Sequence, residues 1–188
     1  EIVNSPYIIL LLLVAVLPAI TEEITIRGVV LSGYKNKNIY LSSMITGLLF
    51  GIMHLDPQQF LYATVLGVVL ALVVRITNTI FASSLIHFLI NGTSITIQKV
   101  ISLFPQSDSV MEQASEISIK SLPIGEKLAM AGTYGVIALA FGIVAFFILK
   151  KLADLNIRRG IIDKEEMSVR YCNSDEKIFN IQFSFIII

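Results

Sequence analysis

Six residues of this chain combine types and spacings that could do chemistry: Glu22, Glu23, Arg27, His54, His87 and Asn91. All lie in apolar stretches, and His54 and His87 are the only histidines of the chain. A charge at bilayer depth costs roughly 2.5–3.5 kcal/mol on insertion scales, so an ionisable cluster there is a functional hypothesis by default. The set suits the activation of water. A carboxylate in low-dielectric surroundings can act as a base near neutral pH, and an imidazole beside it can hold the same water. A second imidazole and an amide N–H are donors suited to a developing oxyanion. No Ser or Cys nucleophile is required. Ser83 and Ser84 precede His87 by four and three residues, a common spacing that carries little weight for a Ser–His dyad.

Helix geometry sorts the charged residues of the first stretch. Glu23 and Arg27 are four apart with the acid on the N-terminal side, the favourable order for an ion pair on one helix face. Glu22 lies about 100° around the helix from Glu23 and is not the natural partner of Arg27. One carboxylate is thus neutralised locally and the other is left for another task. Pro18, four residues before Glu22, cannot donate to the Val14 carbonyl and is expected to bend the helix there. Phe50 and His54 share a face, as do His87 and Asn91.

The elements that must position these groups are membrane helices. The chain has 188 residues, 55% of them hydrophobic and only 15% charged, a composition unlike that of a soluble domain. The formal net charge is zero, so no global field argues for nucleic acid. Cys172 is the only cysteine, which excludes an intrachain disulfide and a cysteine metal cluster. The chain starts at Glu1 rather than Met, and an upstream portion is expected. The fold class read from this pattern is all-α, a polytopic transmembrane helical bundle of about five spans. At about 20 residues per crossing, the spans run from Tyr7 to Tyr34, Tyr40 to Leu55, Gln59 to Ile76, Thr79 to Phe104 and Lys127 to Leu149. The fourth has Asn91-Gly92 as a point where it could break.

Residues 1–104 are then a four-span core carrying the motif region 18–93. Residues 105–126 form an extracytoplasmic loop, in which Val110, Met111, Ala114 and Ile117 have the spacing of a short interfacial helix. Residues 127–149 are the fifth span and 150–188 a polar cytoplasmic tail. The apolar end from Phe179 to Ile188 is too short to span and has no assigned role. Basic residues cluster after spans one, three and five, at Lys35 and Lys37, at Arg75, and at Lys150, Lys151, Arg158 and Arg159. The positive-inside rule makes that side cytoplasmic, which places the first residue outside and the C-terminus in the cytoplasm of a multi-pass cell-membrane protein. Measured from the cytoplasmic ends at about 1.5 Å per residue, Glu22 lies roughly 18 Å deep, His54 roughly 22 Å, His87 roughly 13 Å and Asn91 roughly 20 Å. Similar depths would let them meet. Gly47 with Gly51, and Gly67 with Ala71, have the small-xxx-small spacing that lets helices approach closely.

Glu-Glu-x-x-x-Arg at Glu22–Arg27, Phe-x-x-x-His at Phe50–His54 and His-x-x-x-Asn at His87–Asn91 resemble, in order and spacing, the CAAX protease and bacteriocin-processing (Abi) family of intramembrane endopeptidases. The resemblance covers about Pro18 to Thr93 and extends to Gly28 and Gly67. It departs at Ile26, where the family often has an aromatic residue. The resemblance implies a membrane protease that cuts peptides near the membrane. It implies that Glu22 and His54 activate water, that His87 and Asn91 stabilise the oxyanion, and that Glu23 and Arg27 support them. The implied partners are a peptide or a prenylated or membrane protein substrate, together with the lipid bilayer.

No cofactor is expected. Zinc or another divalent metal is the open alternative, with Glu22, His54 and His87 as its ligands, but the His-Glu-x-x-His signature is absent and Asn is a poor zinc ligand. Two other function classes compete with the protease. Buried Glu and His also build proton relays in proton- or ion-coupled transporters, although the internal repeats common in transporters are not seen. A non-catalytic immunity or scaffold protein could keep the same residues for packing.

Overall fold

The computed structural model describes residues 6–104, 123–164 and 167. The described residues form an all-helical bundle of five elements: α1 (Tyr7–Tyr34), α2 (Ile39–Met53), α3 (Pro57–Thr77), α4 (Ile80–Ile101) and α5 (Ile124–Arg158). Four of them are long and apolar enough to cross a membrane, and α2 is a shorter apolar helix. This is a multi-pass membrane architecture, compatible with about five spans. The expected interfacial helix over Val110–Ile117 and the apolar end from Phe179 to Ile188 lie outside the described residues, as do most of the 105–126 loop and of the C-terminal tail.

Local chemistry starts and stops the helices. Asn38 Oδ1 accepts from the backbone N–H groups of Tyr40 and Leu41 at 2.8 and 3.2 Å, capping α2. Asp56 Oδ1 accepts from Gln58 N at 2.9 Å, with Pro57 in the first turn of α3. Asn78 ends α3 in the left-handed region at φ 52°, a conformation that Asn tolerates better than most residues. Thr79 then accepts from Phe81 N to open α4.

Two helices differ from the sequence expectation. The fourth passes through Asn91-Gly92 unbroken, because Gly92 packs beside α1 near Leu11 and Ala15 and tertiary contact outweighs its poor helix propensity. The fifth starts earlier than the expected span and runs nine residues past Leu149, through the first part of the polar tail. At 1.5 Å per residue its 35 residues reach about 50 Å, well beyond a hydrocarbon core of about 30 Å.

In lipid the apolar tails compete with apolar side chains, so helices associate through close packing and polar contacts. The α2–α3 seam does this through glycine. A Cβ on Gly47 would stand 2.6 Å from Val68 N, one on Gly51 2.8 Å from Phe60 O, and one on Gly67 2.9 Å from Gly47 Cα. The small-residue spacing read from the sequence is thus a backbone-to-backbone contact. Around it, Ile26, Val30 and Tyr34 of α1 meet Phe50 of α2 and Ala63 of α3 in a buried cluster. At the far end the Arg75 guanidinium donates to the Lys35 and Lys37 carbonyls at 2.9 and 3.2 Å, tying the end of α1 to α3. The long α5 is mostly exposed. It is anchored near its C-terminus by Asn156 Nδ2, which donates to Ile76 O at 2.9 Å, and by the Ile76–Ala153–Ile162 cluster.

Candidate active site

The acid pair sits between two unusual stretches of α1. The helix widens into π-type turns over Leu11–Val16 and Ile24–Val30 and is α-helical between them, from Leu17 to Glu23. Such turns recur at functional sites. Pro18 lies in the α-helical stretch, and the Val14 carbonyl that it cannot serve accepts from Asn91 Nδ2 of α4 at 3.3 Å.

Glu23 is fully buried and Arg27 98% buried. Arg27 Nη1 donates to Glu23 Oε1 at 2.8 Å, the ion pair that the four-residue spacing predicts. Its Nη2 donates to Gly67 O at 3.1 Å, and its guanidinium carbon stands 4.6 Å from the Phe50 ring centroid. Gly67 thereby allows the α2–α3 approach and also supplies a carbonyl to the buried cation. Such a charge is held where its hydrogen bonds and counter-ion are satisfied together.

Glu23 does more than its sequence spacing suggests. The same Oε1 accepts from His87 Nδ1 at 3.0 Å, so one carboxylate serves a cation of its own helix and an imidazole of α4. That bond turns His87 Nε2 toward Glu22, whose Oε2 lies 3.8 Å away, too far for a hydrogen bond. Glu22 Oε2 and Glu23 Oε2 are buried atoms with no hydrogen-bond partner. The neighbour found for Glu22 is therefore His87, whereas the resemblance pairs it with His54.

His54 occupies the C-terminal end of α2, where its Nδ1 is 2.8 Å from Phe50 O. A carbonyl can only accept, so Nδ1 carries the hydrogen and the neutral ring keeps its lone pair on Nε2. The Phe50 ring stands edge-on to both imidazoles, with centroids 4.8 Å from His54 and 5.9 Å from His87.

Glu22, His54, His87 and Asn91 line one cavity of about 330 Å³. Four helices contribute to it, and Val14, Pro18, Phe50, Ala63, Leu66 and Ile95 supply its apolar wall. Glu23 and Arg27 are not among the residues that line it. The cavity also contains Gln59, Tyr62, Ser94 and Gln98, which sequence reasoning missed. A signal for two of them exists, since Ser94 and Gln98 continue the His87–Asn91 face at the spacing of a helix. Gln59 and Tyr62 of α3 had no such flag. Ser83 Oγ donates to Ile80 O at 2.9 Å, and His87 Nδ1 is taken by Glu23, so that serine forms no dyad with the imidazole. Glu22, His54 and His87 share the cavity, yet among the described residues no three His, Cys, Asp or Glu side chains come together as a metal-holding cluster.

A family model described as Rce1-like, type II CAAX prenyl endopeptidase, matches residues 4–93. The match takes in Glu22, Glu23, Arg27, His54, His87 and Asn91, and stops short of Ser94, Ile95 and Gln98 of the same cavity. It supports an intramembrane protease of CAAX type at the level of the family. No curated protein and no solved structure matches the chain.

Proposed function

With residues 4–93 matching the Rce1-like type II CAAX prenyl endopeptidase family, we propose that this chain is an intramembrane endopeptidase that hydrolyses a peptide bond with a water activated by Glu22. Its substrate is a peptide or a prenylated or membrane protein segment presented from the bilayer. The chain sits in the cell membrane with its basic end and C-terminus in the cytoplasm, as the positive-inside rule argues.

One observation carries the reading. The two imidazoles share a cavity but hold different partners at Nδ1, a neutral carbonyl for His54 and a carboxylate for His87. His54 is therefore an acceptor at Nε2, suited to hold one hydrogen of the attacking water. His87, with its Nδ1–H on the Glu23 carboxylate, is suited to carry a positive charge opposite an oxyanion, in the way a buried acid orients and supports a catalytic imidazole. Glu22 takes the other proton of the water. The hydroxide oxygen bonds to the scissile carbonyl carbon, and the carbonyl electron pair moves onto oxygen. That oxyanion accepts from the second N–H of Asn91 and from His87 Nε2–H, the ring acting here in the form that carries a hydrogen on each nitrogen, with Nδ1–H on Glu23. Collapse breaks the C–N bond, and Glu22 returns its proton to the leaving amine. No step is routed through a metal.

Cleavage of a membrane-anchored reporter peptide by the purified full chain tests this. Glu22→Gln and His54→Ala are each expected to lower kcat about 10²–10⁴-fold, the usual weight of general acid–base groups, with insertion and helicity unchanged. Cleavage at the wild-type rate by a variant carrying both replacements would overturn the assignment.

A further inference from the structure

A larger cavity, of about 430 Å³, lies at the opposite end of the bundle from the Glu22 site. Its polar wall is Ser32 and Lys35 of the α1 end, Arg75 of α3, and Asn78 and Thr79 of the turn into α4. Its apolar wall includes Leu31, Val74, Ile80 and Ile162. Among the described residues no carboxylate lines it. We propose that this cavity binds a phosphate-class anion, met as the headgroup of an anionic lipid or as free phosphate.

Three observations converge. Lys35 is exposed at the rim and brings a cation that no carboxylate of the described residues offsets. Arg27 lines the floor, is 98% buried, and has an Nε with no hydrogen-bond partner. The first turn of the 22-residue α4 opens here, and backbone N–H groups at a helix start favour an anion. Basic pockets between helices at a membrane surface are where acidic headgroups dock. The apolar wall beside the cations gives the start of an acyl chain a place to lie.

The full chain is assayed in nanodiscs of phosphatidylcholine with or without phosphatidylglycerol, and in lipid-free neutral detergent with inorganic phosphate. Retained lipid is measured by native mass spectrometry and ligand stabilisation by the thermal midpoint. Phosphatidylglycerol is expected to be retained over phosphatidylcholine. Lys35→Gln should weaken retention about fivefold, the usual share of one lysine near an anionic surface. Ser32→Trp, which fills the cavity without a change of charge, should abolish it, and Lys150→Gln, outside the cavity, should leave it unchanged. A Lys35-dependent response to phosphate alone supports the site and assigns a free anion as its source. Binding that survives both cavity variants, binding that Lys150→Gln weakens equally, or no binding in either arm would overturn the proposal.

Discussion

Replacing Glu23 by glutamine separates the two duties of its Oε1, the Arg27 ion pair and the His87 bond. The substitution keeps the shape and removes the charge. Arg27, 98% buried, keeps neutral acceptors in the Gln amide oxygen and the Gly67 carbonyl, and the Phe50 ring, but loses its counter-ion. Removing one member of a buried pair typically costs about 3–5 kcal/mol, because the other charge is stranded. A chain of this size loses about 2–4 °C of midpoint per kcal/mol, so the melting temperature in detergent should fall by roughly 10 °C. Activity should fall too, since a carboxylate that orients a catalytic imidazole is worth on the order of 10²–10⁴ in kcat. The informative variant is Glu23→Gln with Arg27→Met. Replacing a buried pair by apolar or neutral groups is often nearly neutral for stability, so the midpoint should return most of the way. His87 still lacks its carboxylate, so kcat should stay low. Thermal midpoints and kcat, read on the same preparations, give both numbers. Recovery of kcat together with stability would refute the reasoning, because Glu23 would then matter only as the counter-ion of Arg27.

Other outcomes follow from single contacts. Asn91→Ala should lower kcat about 10²–10³-fold, the range for an oxyanion donor, and stability by about 1 kcal/mol for the lost bond to the Val14 carbonyl, read as kcat and midpoint. Gly47→Ala should destabilise by about 1–3 kcal/mol as an overpacked contact, because its Cβ would meet Val68 N at 2.6 Å. Gly28→Ala should be tolerated, since its nearest neighbour would be 3.5 Å away; paired denaturation curves compare the two. Phe50→Leu should cost about 1–2 kcal/mol through the lost cation–π contact and ring edges, and should raise the mobility of both imidazoles in ring NMR spectra.

What the sequence settled by itself is what a helix settles locally. Apolar run lengths define the spanning helices, and a separation of four residues puts Glu23 beside Arg27, because backbone hydrogen bonding leaves no other geometry in lipid. The small-residue pairs that form the α2–α3 seam are legible for the same reason. Which side of each helix faces which neighbour is not. In a membrane both the lipid-facing and the core-facing positions are apolar, so periodicity carries little information about rotation around the helix axis. The His87–Glu23 bond joins residues 64 apart, and the Asn91–Val14 bond residues 77 apart. Both depend on how α4 is turned against α1. The resemblance to a known family brought Glu22, His54, His87 and Asn91 together as a set. The shared carboxylate oxygen of Glu23, the Asn91 bond to the Val14 carbonyl and the places of Gln59 and Tyr62 in the cavity arise only when four helices pack at distances that the glycines permit.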